Sequence, residues 1–178
     1  VFIAIDFAIG SVGQQLFDSQ KSGKYARMNT MLNSSHEIVV LGSSRAHRHY
    51  HPGIIKTELG VSCYNAGVPG QGIIFSSLIQ QMKLTHEVKP DLIILDLENI
   101  ALFEFEQHYD RISDFSPYYW EYRDILKPII GKNSQFIDLQ MAFKSLRLNS
   151  TILLFLKQIT GRIKDSMGYI PLYGKMAS

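Results

Sequence analysis

Cysteine is almost missing from this sequence: Cys63 is the only one among 178 residues. A single thiol cannot close an internal disulfide, and it excludes a Cys-rich zinc site, while the redox compartment stays open. Charge of one sign is missing too. Lys and Arg number 18 against 16 Asp and Glu, a formal net charge of +2. No dense basic stripe occurs, so no nucleic-acid partner is expected. There is no internal repeat and no low-complexity tract. No apolar run reaches the ~20 residues that a membrane-spanning helix needs. With 46% hydrophobic and 19% charged residues, the chain is neither disordered, collagen-like, nor a coiled-coil rod. Its length fits one domain with a real core.

What is present opens on an apolar stretch, VFIAIDFAIGSVGQQLF, with one acid, Asp6. It reads either as the end of a membrane anchor or as an amphipathic helix packed on the domain. The anchor fits slightly better, because the polar stretch DSQKSGKYARMNTMLNSSHE follows like a linker. Neither the basic start nor the small-residue cleavage site of a signal peptide is visible. Residues 1–35 are therefore expected to be an anchor-like segment with linker, and 36–178 an α/β domain. The chain opens with Val1 and closes on SMGYIPLYGKMAS without a clear terminal element, so the domain is expected to be C-terminally incomplete.

From Glu37 onward, strands and helices alternate. EIVVLG is a buried strand stopped by Gly42, VSCYNAG a second, and DLIILDL a third. HPGIIKTELG fits a short helix with Gly60 at its stop. GIIFSSLIQQMKLTHEV spaces Ile73, Ile74, Leu78, Ile79, Met82 and Leu84 as an amphipathic helix does. Nearly continuous aliphatic strands separated by helices point to a parallel sheet covered on both faces. After Asn99 comes an aromatic-rich, irregular stretch, expected to be a lid-like insertion or helical hairpin. Helices are expected in PYYWEYRDILKPII, ending near Pro128, in SQFIDLQMAFKSLRL and in STILLFLKQITGRI.

In open parallel sheets, ligands bind beyond the carboxyl ends of the strands. Three such ends carry suggestive groups: Gly42-Ser43-Ser44-Arg45, Asn65 to Gly72, and Asp96-Leu97-Glu98-Asn99. A serine, glycine amides and a side-chain amide suit acyl transfer, in which the serine attacks and N–H donors hold the oxyanion. V-L-G-S-S-R, N-A-G-V-P-G-Q-G and K-P-D-L-I-I-L-D-L-E-N, in this order, resemble the SGNH (GDSL-like) hydrolases, and more narrowly the membrane-anchored SGNH-type proteins of bacterial envelopes. The resemblance covers about Glu37 to Asn99.

That resemblance implies a three-layer α/β/α sandwich with a flavodoxin-like parallel sheet, followed by a mainly helical segment. It implies a serine esterase or O-acyltransferase acting on acyl esters, such as those of envelope glycans, at the cell envelope and without a cofactor. Ser44 aligns with the nucleophile of the Gly-Asp-Ser block, and Ser43 stands where Asp is usual. Gly70, with Gly67 as the alternative, aligns with the oxyanion-binding glycine, and Asn99 with the asparagine donor of a reduced third block. The family's Asp-x-x-His, which supplies the base, has no counterpart: no Asp here has His three residues later. The resemblance then implies that this chain alone is inactive. A binding or assembly protein that keeps the fold without the chemistry is the alternative.

Other readings compete for the same residues. Gly-Ser-Ser is also a common strand-to-helix turn with serine as N-cap. Arg45 fits a surface salt bridge better than an anion site. His47, His49 and His51 have no accompanying carboxylate or thiolate, and i,i+2 positions on a helix diverge, so no metal site is expected. Asp96 and Glu98 lie on one side of a strand and repel unless one is protonated or solvated, so they fit caps of the strand end, with Glu98 facing the cleft, better than an acid/base pair. The glycine-rich loop lacks the Lys-Ser/Thr of a phosphate-binding loop, which weakens a nucleotide reading. The aromatics from Phe103 to Tyr122 suit a substrate wall, the packing of an insertion, or a membrane interface.

Overall fold

The computed structural model describes residues 1–20, 23–99, 103, 109, 111–132, 134–148 and 167–169. In chain order the elements are α1 (Phe2–Asp18), α2 (Gly23–Asn33), β1 (Ile38–Gly42), α3 (Ser44–His49), α4 (Pro52–Leu59), β2 (Cys63–Asn65), α5 (Ile73–Leu84) and β3 (Leu92–Asp96). A 3₁₀ helix (Ile112–Tyr118), α6 (Arg123–Ile130) and α7 (Ile137–Ala142) follow. The chain divides into two compact units. One comprises Val1–Asn29 and Tyr109–Ile163, the other Thr30–His108 and Lys164–Ser178.

The second unit holds the sheet. Its three strands are parallel in the order β2-β1-β3. Val40 stands opposite Asn65 on one side and Ile94 on the other, and Gly42 opposite Asp96. The expected α/β alternation is present: each strand and helix foreseen between Glu37 and Asn99 forms, with ends trimmed by a few residues. Short aliphatic runs become strands here because β1 and β2 are buried along their whole length. Ile38, Val40, Ala46 and Cys63 form a core cluster, with Tyr50, Ile55, Val61 and Ile94 packed against it. Phe75, Leu78, Ile79 and Met82 of α5 are buried as well, as their helical spacing predicts.

β3 departs from the expectation of strands covered on both faces. Leu92 is 50% exposed and Leu95 36%. Among the described residues this strand pairs only with β1, so one edge and part of its surface lack a neighbour. Elsewhere in the unit Lys83 is buried. Its ammonium donates to the carbonyls of Leu32, at 2.9 Å, and Ser34, at 2.5 Å. A cation there satisfies carbonyls that the end of α2 leaves without helical partners.

The first unit is helical and aromatic. Phe17 meets Tyr25 and Tyr118 edge-on, with ring centroids 5.4 and 5.0 Å apart. Phe115, Tyr119, Tyr122 and Leu126 are buried beside them in sequence. The aromatics near residues 115–122 thus serve largely as core, while Trp120 stays partly exposed. The helix expected in PYYWEYRDILKPII is split between the 3₁₀ turn and α6. α6 runs two residues beyond Pro128, to Ile130. The helix expected in SQFIDLQMAFKSLRL is also interrupted. α7 stops before the extended residue Phe143, and residues 144–148 are helical again. The Asp6 carboxylate of α1 explains the restart. It accepts the backbone N–H groups of Lys144 and Ser145, at 2.9 and 3.0 Å, and the Ser145 hydroxyl. It thereby caps a helix from a distant part of the chain. Gly10 and Gly13 face Lys144 and Leu148 so closely that a Cβ at either position has no room. The helix foreseen in STILLFLKQITGRI lies outside the described residues.

Candidate functional site

Parallel pairing puts the carboxyl ends of all three strands at one edge of the sheet. The loop after β1 is built around Gly42. Its φ of +143° is one that side chains rarely adopt, and a Cβ would lie 2.7 Å from the Asp96 carbonyl oxygen and 2.8 Å from the Ala46 Cβ. Glycine here lets α3 begin at once and lets the end of β3 approach. Ser43 takes the position before the first helical residue in extended conformation, without a side-chain cap bond. Its hydroxyl is turned instead to Glu98, donating at 2.6 Å.

Ser44 is the first residue of α3 and is half-buried. Next to it, Arg45 reaches the end of β3. Its Nε donates to the Asp96 carboxylate at 2.7 Å, and its Nη2 donates to that carboxylate and to the Leu97 carbonyl. The Asp96 side chain is only 7% exposed. Its hydrogen bond and charge raise the Arg45 pKa above the ordinary value. Burial first, then the Asp96 charge and hydrogen bond, raise the Tyr50 phenol as well. The two carboxylates on one side of the chain are thus compensated separately, Asp96 by Arg45 and Tyr50, Glu98 by Ser43. This removes the repulsion that their spacing suggests, and the salt-bridge reading of Arg45 holds.

The loop after β2 is tied to the same place. Asn65 is fully buried, and its amide donates to the carbonyls of Ala46 at 2.7 Å and Tyr50 at 2.8 Å. Its side-chain oxygen accepts the Gly67 N–H at 3.0 Å. The Val68 N–H donates to the Gly42 carbonyl, also at 3.0 Å. At Gly67 a Cβ would lie 2.6 Å from the His47 backbone nitrogen, so this glycine seats the loop against α3. Gly70 lies farther out, exposed, with φ +74°. Asn99 is exposed too, directly after Glu98 in the loop that follows β3.

Ser44, at the start of α3, and Gly70 and Asn99, in the segments after β2 and β3, therefore follow the three strand ends at one sheet edge. The bonds that hold those loops together run through their neighbours Ser43, Arg45, Asn65, Gly67, Asp96 and Glu98. Asn65 and Tyr50 carry more of this architecture than their place in the sequence suggests. The signal for Asn65 was a polar residue ending a short apolar strand just before a small-residue loop.

The histidines have separate surroundings. His47 is buried on α3, His49 faces outward, and His51 accepts the Ile54 N–H at 3.3 Å to cap α4. The His51 ring also packs on Tyr169, centroids 4.5 Å apart. Cys63 lies inside the core, where burial pushes its thiol up to about 11, so it stays a protonated packing group. In comparisons with known protein families, with curated proteins and with solved structures, no match to this chain is found.

Proposed function

We propose that this edge of the sheet is a serine acyl-transfer site of the SGNH type, within a three-layer α/β/α sandwich. One observation carries the reading. Loops from three parallel strands, bearing the residues of the resembled motif in order, are hydrogen-bonded to Gly42–Arg45 through Val68, Asp96 and Glu98. Such an arrangement at the carboxyl ends of a parallel sheet is where ligands bind. Ser44 is the nucleophile in this reading. Its Oγ bonds to the carbonyl carbon of an acyl ester, the alcohol leaves, and the Gly70 N–H and Asn99 amide hold the oxyanion. A base takes the serine proton as the new bond forms and returns it to the alcohol oxygen as the ester C–O bond breaks; the resembled family takes that base from its Asp-x-x-His block, which this sequence does not contain. The substrates are acyl esters, with envelope glycans as the class the resemblance implies.

A second reading is favoured by the Ser43–Glu98 bond. Glu98 and Asp96 place two carboxylates beside the serine, and an oxyanion forming next to them is opposed unless both stay compensated. A binding or assembly protein of the same fold needs no such tolerance. Labelling with a fluorophosphonate probe separates the two. Modification of the full-length protein that disappears in Ser44→Ala, with an unchanged circular dichroism spectrum, supports the serine site. Failure of the folded full-length wild type to label rejects it in favour of the binding protein.

A further inference from the structure

We infer that the helical unit is a docking surface for an anionic lipid bilayer, with α1 as its apolar contact and Lys144 beside it at its cationic border. α1 turns Gly10, Gly13 and Phe17 inward. Phe2, Ile3, Ile5, Phe7, Ile9 and Val12 remain about half or more exposed. Apolar residues thus surround the first three turns rather than forming one stripe, a pattern suited to hydrocarbon and not to water. The single ionisable side chain on this stretch, Asp6, is withdrawn into the cap of the 144–148 helix. Hydrogen bonds from Ser145 hold its carboxyl below the ordinary range, so it stays an engaged acceptor.

The border is basic. The Lys144 ammonium lies 3.7 Å from the centre of the Phe7 ring and 3.4 Å from the Ser11 hydroxyl. Phe136 just before α7, Leu139 on it, and Phe143 and Leu146 after it add further exposed apolar side chains. The charge of the chain is divided in the same sense. The sequence of this unit carries eleven Lys and Arg against seven Asp and Glu, and that of the other unit seven against nine. Apolar insertion combined with basic flanks is the chemistry of an anionic membrane interface. Among the described residues no helix is long and apolar enough to cross a membrane. The apolar part of α1 rises ~16 Å, roughly one leaflet's depth.

Vesicle co-sedimentation of the whole chain tests this, with phosphatidylcholine alone and with phosphatidylcholine containing one quarter phosphatidylglycerol. The expected result is at least tenfold stronger partitioning onto the anionic vesicles. Ile5→Ser/Ile9→Ser should lose about tenfold in binding at unchanged helicity, and Lys144→Gln should narrow the preference between the two vesicles. A wild type that stays in the supernatant with both vesicles overturns the proposal, as does equal binding to both. A lipid-free dimer that the Ile5→Ser/Ile9→Ser variant dissociates, with no vesicle binding, overturns it in favour of a second copy as the occupant. The readout does not depend on Ser44, so it stands or falls apart from the acyl-transfer reading.

Discussion

Ser43 donates its hydroxyl to the Glu98 carboxylate at 2.6 Å, across 55 residues of sequence, and so joins the loop after β1 to the loop after β3. The bond lies beside the proposed nucleophile and occupies the position where the resembled family carries aspartate.

Placing an aspartate at position 43 should harm this chain. Ser43→Asp sets a second carboxylate against Glu98 and should lower unfolding free energy by about 2 kcal/mol, more than the ~1 kcal/mol lost in Ser43→Ala. Combining Ser43→Asp with Glu98→Gln should recover most of the difference. Urea midpoints at pH 7 measure all three. Equal losses in Ser43→Asp and Ser43→Ala would show that Glu98 does not face position 43.

Asn65 should be the most sensitive polar position of the sheet edge. It is fully buried and makes three hydrogen bonds to the backbone of α3, Tyr50 and the 66–72 loop. Asn65→Ala removes the side-chain partner of the Ala46 and Tyr50 carbonyls and of the Gly67 N–H, at a cost of about 2–4 kcal/mol. Hydrogen exchange should then quicken at Gly67 and Val68 before it does in β1. A variant within ~0.5 kcal/mol of wild type, inside the range of ordinary surface changes, contradicts this account.

The helical unit should loosen in acid. Asp138 accepts from Arg123 through both oxygens, from Lys127 and from the Tyr119 hydroxyl. Those bonds, Arg123 first, hold its carboxyl far below the usual aspartate range. Because the folded value is the depressed one, this stabilisation is complete above the unfolded value near 4 and fades as pH falls through the folded value. Trp120, the only tryptophan, stacks edge-on against Tyr119 at 5.3 Å and reports on this cluster. Its fluorescence should change as pH falls below about 4, the ordinary aspartate value. Asp138→Asn should be less stable at pH 7 and show a flatter acid profile. An acid profile identical to wild type in that variant would assign the loss to other carboxylates.

Much of the sheet unit was legible because its signals are local. Gly42 and Gly60 stop an apolar run and a helix, and both have positive φ. The period of α5 matches its buried face. The stretch from Phe136 to Leu148 was less legible. Its apolar spacing reads as one helix, yet Phe143 is extended and a new helix starts where Asp6 supplies the cap, 138 residues away. Likewise β3 looks as aliphatic as β1, and only its place in the sheet leaves Leu92 half exposed.

By itself the sequence determined the alternation of strands and helices, the glycine stops, and the order of the serine, glycine and asparagine loops. Each follows from side-chain period and from backbone freedom within a few residues. Only the tertiary structure decided which polar groups meet: Ser43 with Glu98, Arg45 with Asp96, Asn65 with α3, Asp6 with Lys144 and Ser145. A hydrogen bond acts over about 3 Å and needs alignment. Strand register and helix packing set that alignment, and no short stretch of sequence contains them.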